Sequence, residues 1–450
     1  MSPSIARSVV ALLLWTSALP LHSQAPSPNE GLGGLRRRAD WRASIAFVAD
    51  SGGVVRRVTD GGSAARAGLR AGDRVIAIGS TETLRRSAYT SAFRALRGGD
   101  TARLRVVRGR DTLSIRAPLA PVGLERHDGI AMSYGSVRST RGHRVRTVVA
   151  RPTAAGSRRI AAVLFVPWLS CNAVEHPEAG TDGFMHTLHA VASRSSMLFM
   201  RVEKPGVADS EGPDCRDAEL EDDMAAFRAA LAALRARPDV DTTKIFLMGG
   251  SIGGGLAPIL AAEDPRGIAG VIAINGFSRT WYEHMLDIER RILELNGRSP
   301  SEVNAGMRGI ARFYTEYLLS THTPAQVLAS HPELRPLWTD EPEHQYGRPA
   351  SYYHAVQLLD VESAWATLAD RGIPALVVWG EYDWIMSRAE ADRAVAIVNA
   401  KKPGSATLVV LPKTDHGLMT YASMQAAFAD ESPVWDGAPA RAILDWLKAR

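Results

Sequence analysis

Short apolar runs recur from residue 144 to the C-terminus, and most are followed by a segment with helical character. Runs of this length, bounded by glycine, proline or polar residues, are typical of strands that are buried on both faces of a sheet. Strands that alternate with helices predict an α/β fold, with a mostly parallel sheet and helices on both of its faces. The predicted strands are 144–150, 160–166, 197–202, 245–248, 270–275, 375–380 and 408–412.

A different pattern occupies the chain before residue 120. Two short predicted strands, 44–48 and 54–58, precede the sequence AGLRAGDRVIAI. A short helix, an Ala-Gly-Leu turn, a Gly-Asp pair and an apolar strand resemble a PDZ domain of the bacterial protease-associated kind. The resemblance implies a small β-rich domain that binds a peptide as an added strand and holds its C-terminal carboxylate with backbone amides. The binding loop would contain Ser44, Ile45, Ala46 and Phe47; a structural or intramolecular role for the module is the alternative.

Residues 277–360 interrupt the alternation of strands and helices. The segment is rich in helix formers and aromatic residues, and it lies between two predicted strands of the sheet. An insertion at this place predicts a helical cap over the active site. Its aromatic residues either line an apolar substrate pocket or form the core of the cap, and we expect the second for most of them. They are Trp281, Tyr282, Phe313, Tyr314, Tyr317, Trp338, Tyr346, Tyr352 and Tyr353.

The sharpest chemical signal is a serine at a strand–turn–helix junction. Ser251 follows the predicted strand 245–248 within the pattern Gly-x-Ser-x-Gly, and an Ala/Leu-rich helical segment comes next. Such a turn forces the serine into a strained backbone conformation, and Gly249 and Gly253 remove the Cβ atoms that would clash. The hydroxyl is thereby held clear of the sheet at a helix N-terminus. Ser251 is therefore the candidate nucleophile.

Two further candidates follow later strands. Asp383 comes after the run 375–380, and His416 comes after 408–412. Serine, then aspartate, then histidine, each after its own strand, resembles the catalytic triad of the α/β-hydrolase fold. The resemblance implies that His416 is the general base and that Asp383 fixes its tautomer. Asp415 is a weaker candidate for the acid because it follows the strand of the histidine.

A loop after the strand 197–202 extends the resemblance. Residues 203–212, EKPGVADSEG, are similar to a glycine-rich loop of α/β hydrolases related to serine aminopeptidases and acyl esterases. The similarity runs from about Val145 to the C-terminus. In such proteins the loop after the strand 160–166 supplies one backbone amide to the oxyanion hole. This implies Leu169 as one donor and Ile252, which follows the nucleophile, as the other.

Composition adds an uneven charge. The 450 residues suffice for two or three domains, and the composition, 46% hydrophobic and 22% charged, is that of an ordinary globular protein. Between residues 31 and 120 there are 18 Arg, no Lys and 7 acidic residues. This segment therefore has a net charge of +11, whereas the whole chain has a net charge of +5. This excess fits either an electropositive module or a general preference for arginine. No basic run is interleaved with aromatic residues, so we expect no nucleic-acid partner.

The N-terminus and the cysteines predict export. Arg7 precedes the apolar stretch 9–15, and a small-x-small pattern ends at Ala25, which is typical of a secretory signal peptide. No other stretch approaches about 18 apolar residues, so we expect a periplasmic or secreted protein without a stable membrane span. The only cysteines, Cys171 and Cys215, predict one disulfide in such a protein. Without a clustered ligand set, neither a metal nor another cofactor is implied.

Together these patterns predict an exported serine hydrolase. The expected order is a signal peptide at 1–25, a linker at 26–40, a PDZ-like domain at 41–120 and a capped α/β-hydrolase domain at 121–450. Ester cleavage through an acyl-serine is the first choice, and an aminopeptidase-like serine peptidase is the second. A free amine would need an acidic subsite, for which Glu175, Glu283 and Asp287 are available. A non-catalytic envelope scaffold that binds partners through the PDZ-like domain is the third alternative.

Overall fold

The computed structural model describes residues 35–41, 43–46, 52–177, 179–180 and 182–450. The predicted signal peptide, the first part of the predicted linker and Phe47 lie outside these ranges. The chain forms two compact units. One contains the residues up to Leu124 together with Val207–Asp209, and the other contains Glu125–Gly206 and Ser210–Arg450.

The first unit is built on an antiparallel sheet. Its strands in spatial order are β2, β3, β4, β6 and β7, with the short β5 paired to β4. Apolar side chains of the sheet and of α2 form one buried core. A separate two-stranded ladder joins β1 to β8, so the chain predicted as linker is already paired at Ala39–Asp40. The elements are β1 (Ala39–Asp40), β2 (Ala43–Ala46), β3 (Val54–Val58), α1 (Ser63–Arg66), β4 (Arg74–Ile78), β5 (Thr81–Glu82), α2 (Arg86–Arg94), β6 (Thr101–Arg108), β7 (Asp111–Pro118) and β8 (Ala120–Pro121).

The second unit is built on an eight-stranded sheet in the order β18-β17-β14-β13-β11-β12-β10-β9. The six strands from β18 to β12 in this order are parallel to one another. Strand β10 runs antiparallel to β12, and β9 runs antiparallel to β10. Every residue of Ala162–Val166 is buried, which shows that both faces of the central strand are covered. The strands are β9 (Ile130–Arg138), β10 (Arg144–Pro152), β11 (Ile160–Val166), β12 (Leu198–Val202), β13 (Val240–Gly250), β14 (Gly270–Ile274), β17 (Ala375–Gly380) and β18 (Ala406–Leu411).

Helices cover this sheet. Residues of α3 and α13 join one apolar cluster with strand residues, while α5 packs with α10. The helices around the sheet are α3 (Gly183–Arg194), α4 (Leu220–Ala236), α5 (Ile252–Glu263), α10 (Val361–Asp370), α11 (Arg388–Lys401), α12 (Met424–Ala429) and α13 (Ala438–Lys448). Within the described ranges, no helix combines the length and the apolarity that crossing a bilayer requires.

The predicted helical cap lies between β14 and β17. Its helix α6 begins with a capping box, in which Thr280 and Glu283 satisfy each other's backbone amides. Most of its aromatic residues are buried against one another, as in the Phe313–Trp338 stack with 4.8 Å between ring centroids, so they form the core of the cap. The elements are α6 (Trp281–Leu295), α7 (Pro300–Tyr314), a π-helical turn (Thr315–Leu319), α8 (Pro324–Ser330), a 3-10 helix (Pro332–Leu337), β15 (His344–Gln345), β16 (Arg348–Pro349) and α9 (Ala350–Gln357).

Candidate active site

The nucleophile candidate lies on a strained turn between β13 and α5. Ser251 has φ 57° and ψ −126°, a conformation that non-glycine residues rarely adopt. Its amide donates a hydrogen bond of 2.9 Å to the carbonyl of Ile274, which ties the turn to the neighbouring strand. A Cβ atom on Gly249 would lie 1.9 Å from the carbonyl oxygen of Gly253, and one on Gly253 would lie 2.2 Å from that of Val166. Only glycine fits at these two positions.

The parallel strands bring the three triad candidates together at one edge of the sheet. The hydroxyl of Ser251 donates to Nε2 of His416, with 2.9 Å between Oγ and Nε2. The Nδ1 atom of His416 lies 2.9 Å from Oδ2 of Asp383. The other carboxylate oxygen, Oδ1, accepts 2.8 Å hydrogen bonds from the amides of Ile385 and Met386. Asp383 is therefore held in a fixed orientation and in turn fixes the imidazole tautomer.

The electrostatics favour proton acceptance by His416. Burial by itself would lower the pKa of this imidazole, but the charge of Asp383 and its hydrogen bond outweigh burial, so the pKa is raised above its usual value. Asp415 does not compete for the same role. Its carboxylate accepts a 2.8 Å hydrogen bond from the amide of Met419, and burial raises its pKa to about 7.

Asn275 is a bracing residue that sequence reasoning missed. It follows β14 with φ 47°, in the left-handed region that asparagine tolerates better than most residues. Its Nδ2 donates to the backbone carbonyls of Asp415 and His416, and its Oδ1 accepts from the amide of Gly380. One buried side chain thus links the strand before the acid to the loop of the histidine. An asparagine directly after a strand was the only signal in the sequence.

The two predicted oxyanion amides lie beside the nucleophile turn. Ile252 is the first residue of α5, and the first amides of a helix have no intrahelical acceptor. Leu169 follows β11, whose last residue, Val166, is paired in register with Gly249. Within the described part of the chain the Leu169 amide donates no backbone hydrogen bond. Among the described residues neither amide is committed to a backbone acceptor, so both stay candidates for the oxyanion hole.

The predicted disulfide is present. Cys171 and Cys215 are bonded, with 5.8 Å between their Cα atoms and a sequence separation of 44. The bond joins the loop after β11 to the loop after β12. Since Leu169 precedes Cys171 by two residues, the disulfide restrains the loop that carries one oxyanion candidate.

The cap contributes a buried histidine close to the triad. His284 on α6 is 2% exposed, and its ring centroid lies 4.6 Å from that of Trp281. Burial, together with the nearby positive charges of Arg291 and His416, lowers the pKa of His284 to about 3. The ring is therefore neutral at pH 7. Among the described residues its Nδ1 atom has no hydrogen-bond partner, and the nearest carboxylate oxygen is Oε1 of Glu390 at 4.0 Å.

The three acidic residues considered for an amine subsite are all engaged elsewhere. Glu175 is fully buried and pairs with Arg146 at 2.8 Å. Glu283 completes the capping box of α6, and Asp287 pairs with Arg279. None of them is left to receive the free amine of a peptide.

One group of side chains in the described ranges has the donor atoms of a metal site, namely Glu125, His127 and His189. Arg201, however, donates to both carboxylate oxygens of Glu125 at 2.8 Å. Although burial opposes its ionisation, Arg201 and the two histidines hold the pKa of Glu125 far below its usual value. A cation would face the guanidinium of Arg201, so we interpret the group as a buried salt-bridge network.

The predicted peptide-binding residues of the first unit lie on β2. Ser44, Ile45 and Ala46 belong to this strand, which among the described strands pairs with β3 alone and is thus an edge of its sheet. Phe47 lies outside the described residues. An edge strand is the element to which a peptide can add.

Comparison with known proteins agrees with both units. The family model described as "Serine aminopeptidase, S33" matches residues 183–420, more than half of the chain, and a PDZ domain model matches residues 43–119. A hypothetical protein from Pseudomonas aeruginosa is 13% identical with a TM-score of 0.45, covering 72% of this chain and 94% of its own. Est1E from Butyrivibrio proteoclasticus, with ferulic acid bound, is 14% identical with a TM-score of 0.44, covering 70% and 99%. No curated protein matches the chain.

The fold and the matched family define the class of protein. It is an α/β hydrolase with a helical cap, preceded by a β-rich PDZ domain, as the sequence predicted. The chain belongs to the serine aminopeptidase S33 family of hydrolases.

Proposed function

We propose that this protein is a serine hydrolase that cleaves a carboxylic ester through an acyl-serine intermediate. The observation that carries the proposal is the unbroken chain of hydrogen bonds from Ser251 through His416 to Asp383, at 2.9 Å and 2.9 Å. A serine hydroxyl needs an adjacent base to act as a nucleophile, and the base needs a third group to orient it.

In the first half of the reaction Ser251 Oγ attacks the ester carbonyl while its proton passes to Nε2 of His416. The resulting imidazolium is stabilised by Asp383, and the oxyanion is stabilised by the amides of Leu169 and Ile252. Each such donor contributes on the order of 3 kcal/mol to the transition state. When the carbon–oxygen bond to the leaving group breaks, His416 returns the proton to the departing alcohol.

In the second half a water molecule takes the place of the alcohol. His416 accepts a proton from it as the water oxygen attacks the acyl carbonyl. Collapse of the second tetrahedral intermediate releases the carboxylic acid, and the proton returns to Ser251.

An ester is favoured over a peptide because the three acidic residues considered for an amine subsite are engaged elsewhere. Glu175, Glu283 and Asp287 are committed to Arg146, to the α6 capping box and to Arg279, respectively. An ester also needs less protonation of its leaving group than an amide does. Aminopeptidase-like cleavage stays the alternative.

The test is a comparison of short-chain p-nitrophenyl esters with aminoacyl and prolyl p-nitroanilides. We expect ester turnover by the wild type, none by Ser251→Ala, and wild-type turnover by Ser320→Ala, which changes an exposed serine of the cap. Preferential turnover of the anilides would replace the esterase proposal by the peptidase. If neither substrate class were turned over by the folded protein, a non-catalytic scaffold would be favoured.

We also propose that the protein is exported to the periplasm or beyond the cell. The segment from Arg7 to Ala25 has the pattern of a signal peptide, and the Cys171–Cys215 disulfide is typical of an oxidising compartment. N-terminal sequencing of the protein purified from culture fractions tests this. Protein that keeps residues 1–25 and stays in the cytosolic fraction would contradict it.

We further propose that the PDZ domain binds the C-terminus of a peptide by strand addition. The support is the edge position of β2, where Ser44, Ile45 and Ala46 lie. Titration with a peptide that ends in a free carboxylate, against the same peptide with an amidated end, tests the proposal. We expect only the free carboxylate to bind; equal behaviour of the two peptides would favour a structural role.

A further inference from the structure

A buried lysine donates hydrogen bonds to the loop that contains Leu169, one of the two oxyanion candidates. Lys204 follows β12 and is 1% exposed. Its ammonium group donates to the carbonyl oxygens of three consecutive residues: to Trp168 at 2.6 Å, to Leu169 at 3.1 Å, and to Ser170. An ammonium group has three donors and no acceptor, so this loop can take up its full hydrogen-bonding capacity.

Asp223 on α4 is a buried carboxylate that interacts electrostatically with both Arg348 and Lys204. Burial raises the pKa of Asp223, and the positive charges of Arg348 and then Lys204 act against that rise. The same carboxylate accepts a 2.7 Å hydrogen bond from Arg348 of the cap. A buried cation is tolerated better with such a carboxylate nearby than without one.

Arg348 acts on the same segment from the cap. It donates to the carbonyl of Leu169 at 3.3 Å and to that of Cys215 at 2.7 Å. Two buried cations and the disulfide thus converge on residues 168–171. Three restraints therefore act on four consecutive residues beside the nucleophile turn.

Peptide geometry connects Lys204 to the predicted oxyanion donor. The carbonyl of Trp168 and the N–H of Leu169 belong to one peptide unit, and the described chain contains no cis peptide bond. In a trans peptide the C=O and N–H groups point in opposite directions. The hydrogen bond from Lys204 to Trp168 therefore directs the Leu169 N–H away from the ammonium. It also polarises the peptide, which strengthens that N–H as a donor.

We propose that Lys204 is a positioning residue of the oxyanion hole. Its ammonium orients and polarises the Trp168–Leu169 peptide, so that the Leu169 amide is ready for the charge that forms on the substrate oxygen. The inference rests on the proposed function and deepens it. Because the charge on the oxygen develops only as Ser251 attacks, Lys204 acts on the transition state and leaves ground-state binding of the substrate nearly unchanged.

The test uses the full-length protein and the variant Lys204→Met, which keeps the length of the side chain and removes the charge and the donors. Lys244→Met, at an exposed position of β13, is the matched control. The readouts are kcat and KM for p-nitrophenyl butyrate, and Ki for an alkyl trifluoromethyl ketone, which forms a tetrahedral oxyanion on the serine. Circular dichroism of each variant checks the fold.

We expect kcat of Lys204→Met to fall by about tenfold to a hundredfold and Ki to rise by a similar factor, while KM changes less than about threefold. Lys244→Met should match the wild type. An unchanged kcat, a loss confined to KM, or a fall in kcat without a rise in Ki would each overturn the inference.

Lys204→Arg keeps the test decisive if Lys204→Met does not fold. A planar guanidinium keeps the charge but does not converge on three carbonyls as an ammonium does. We expect a folded protein with a lower kcat and a higher Ki. Wild-type values of both constants would overturn the inference. Ester turnover that depends on Ser251, with no effect at Lys204, would leave the proposed function standing. Absence of any wild-type turnover would contradict both.

Discussion

The Nδ2 atom of Asn275 donates a 3.0 Å hydrogen bond to the backbone carbonyl of His416, across 141 residues of sequence. The same side chain accepts a 3.0 Å hydrogen bond from the amide of Gly380, three residues before Asp383. The acid and the base of the candidate triad are thus linked twice, once through their side chains and once through Asn275. This second link sets the position of the histidine loop.

Asn275→Ala should therefore lower both stability and activity. The change leaves the Gly380 amide and the His416 carbonyl without this partner. The Asp415 carbonyl keeps its hydrogen bond from the Leu418 amide. The change also places alanine at a positive φ, and together these effects cost about 3 kcal/mol of unfolding free energy. We expect kcat to fall at least about tenfold because the His416 loop loses its anchor.

Asn399→Ala is the matched control. Asn399 also bridges a backbone amide and carbonyl, both of Ala406, but it lies on α11, outside the candidate site. We expect a loss of about 1 kcal/mol in denaturant unfolding with kcat unchanged. Equal effects on kcat in the two variants would show that Asn275 serves stability alone.

The pH dependence should report His416. Below its pKa the imidazole is protonated and cannot accept the serine proton, so kcat/KM for an uncharged ester should fall as pH falls. Since Asp383 raises the pKa of His416, the midpoint should lie above the usual value of about 6.5.

Asp383→Asn removes the main cause of that rise, while burial, which lowers the pKa of His416, remains. The midpoint should therefore move to lower pH, and kcat should drop by about 10³- to 10⁴-fold. Asp415→Asn is the comparison, because the pKa of Asp415, about 7, falls in the same range. We expect it to keep most of the activity with only a small downward shift. A larger loss at Asp415 would assign the acid to that residue instead.

The disulfide should support both stability and catalysis. Replacing Cys171 and Cys215 by serine opens a loop whose ends are separated by 44 positions in sequence, and the chain-entropy model gives a loss of about 4 kcal/mol in unfolding free energy. Because the bond restrains the loop of Leu169, we also expect a lower kcat. Alkylation of the wild type under non-reducing, denaturing conditions should modify no cysteine, and reduction should expose two. Two alkylated cysteines without reduction would contradict the bond.

The sheet and the triad candidates could be predicted from the sequence because both depend on local patterns of apolar and polar residues. Each candidate follows an apolar run, and parallel strands bring the ends of such runs together. The first and last residues of a strand were harder to predict where the strand contains polar residues. The strand β13 begins at Val240, five residues before the predicted start at residue 245. The prediction missed this part because the polar segment 241–244 has the composition of a loop.

The charged residues inside the sheet could not be predicted. Arg146 and Arg201 are buried in apolar strands, and their partners Glu175 and Glu125 lie 29 and 76 residues away in sequence. The contacts of Lys204 could not be predicted either, because its acceptors are backbone carbonyls, which do not depend on the type of side chain. Such contacts depend on which loops the fold brings together, and spacing along one chain does not encode them.

The most direct test of the central claim is the covalent modification of Ser251. A fluorophosphonate should react with the folded wild type to give one adduct per chain, with loss of fluoride, and peptide mapping should place it on Ser251. Ser320→Ala should react like the wild type, Asp383→Asn more slowly, and Ser251→Ala not at all. A folded wild-type protein that stays unmodified, or an adduct that persists in Ser251→Ala, would contradict the account.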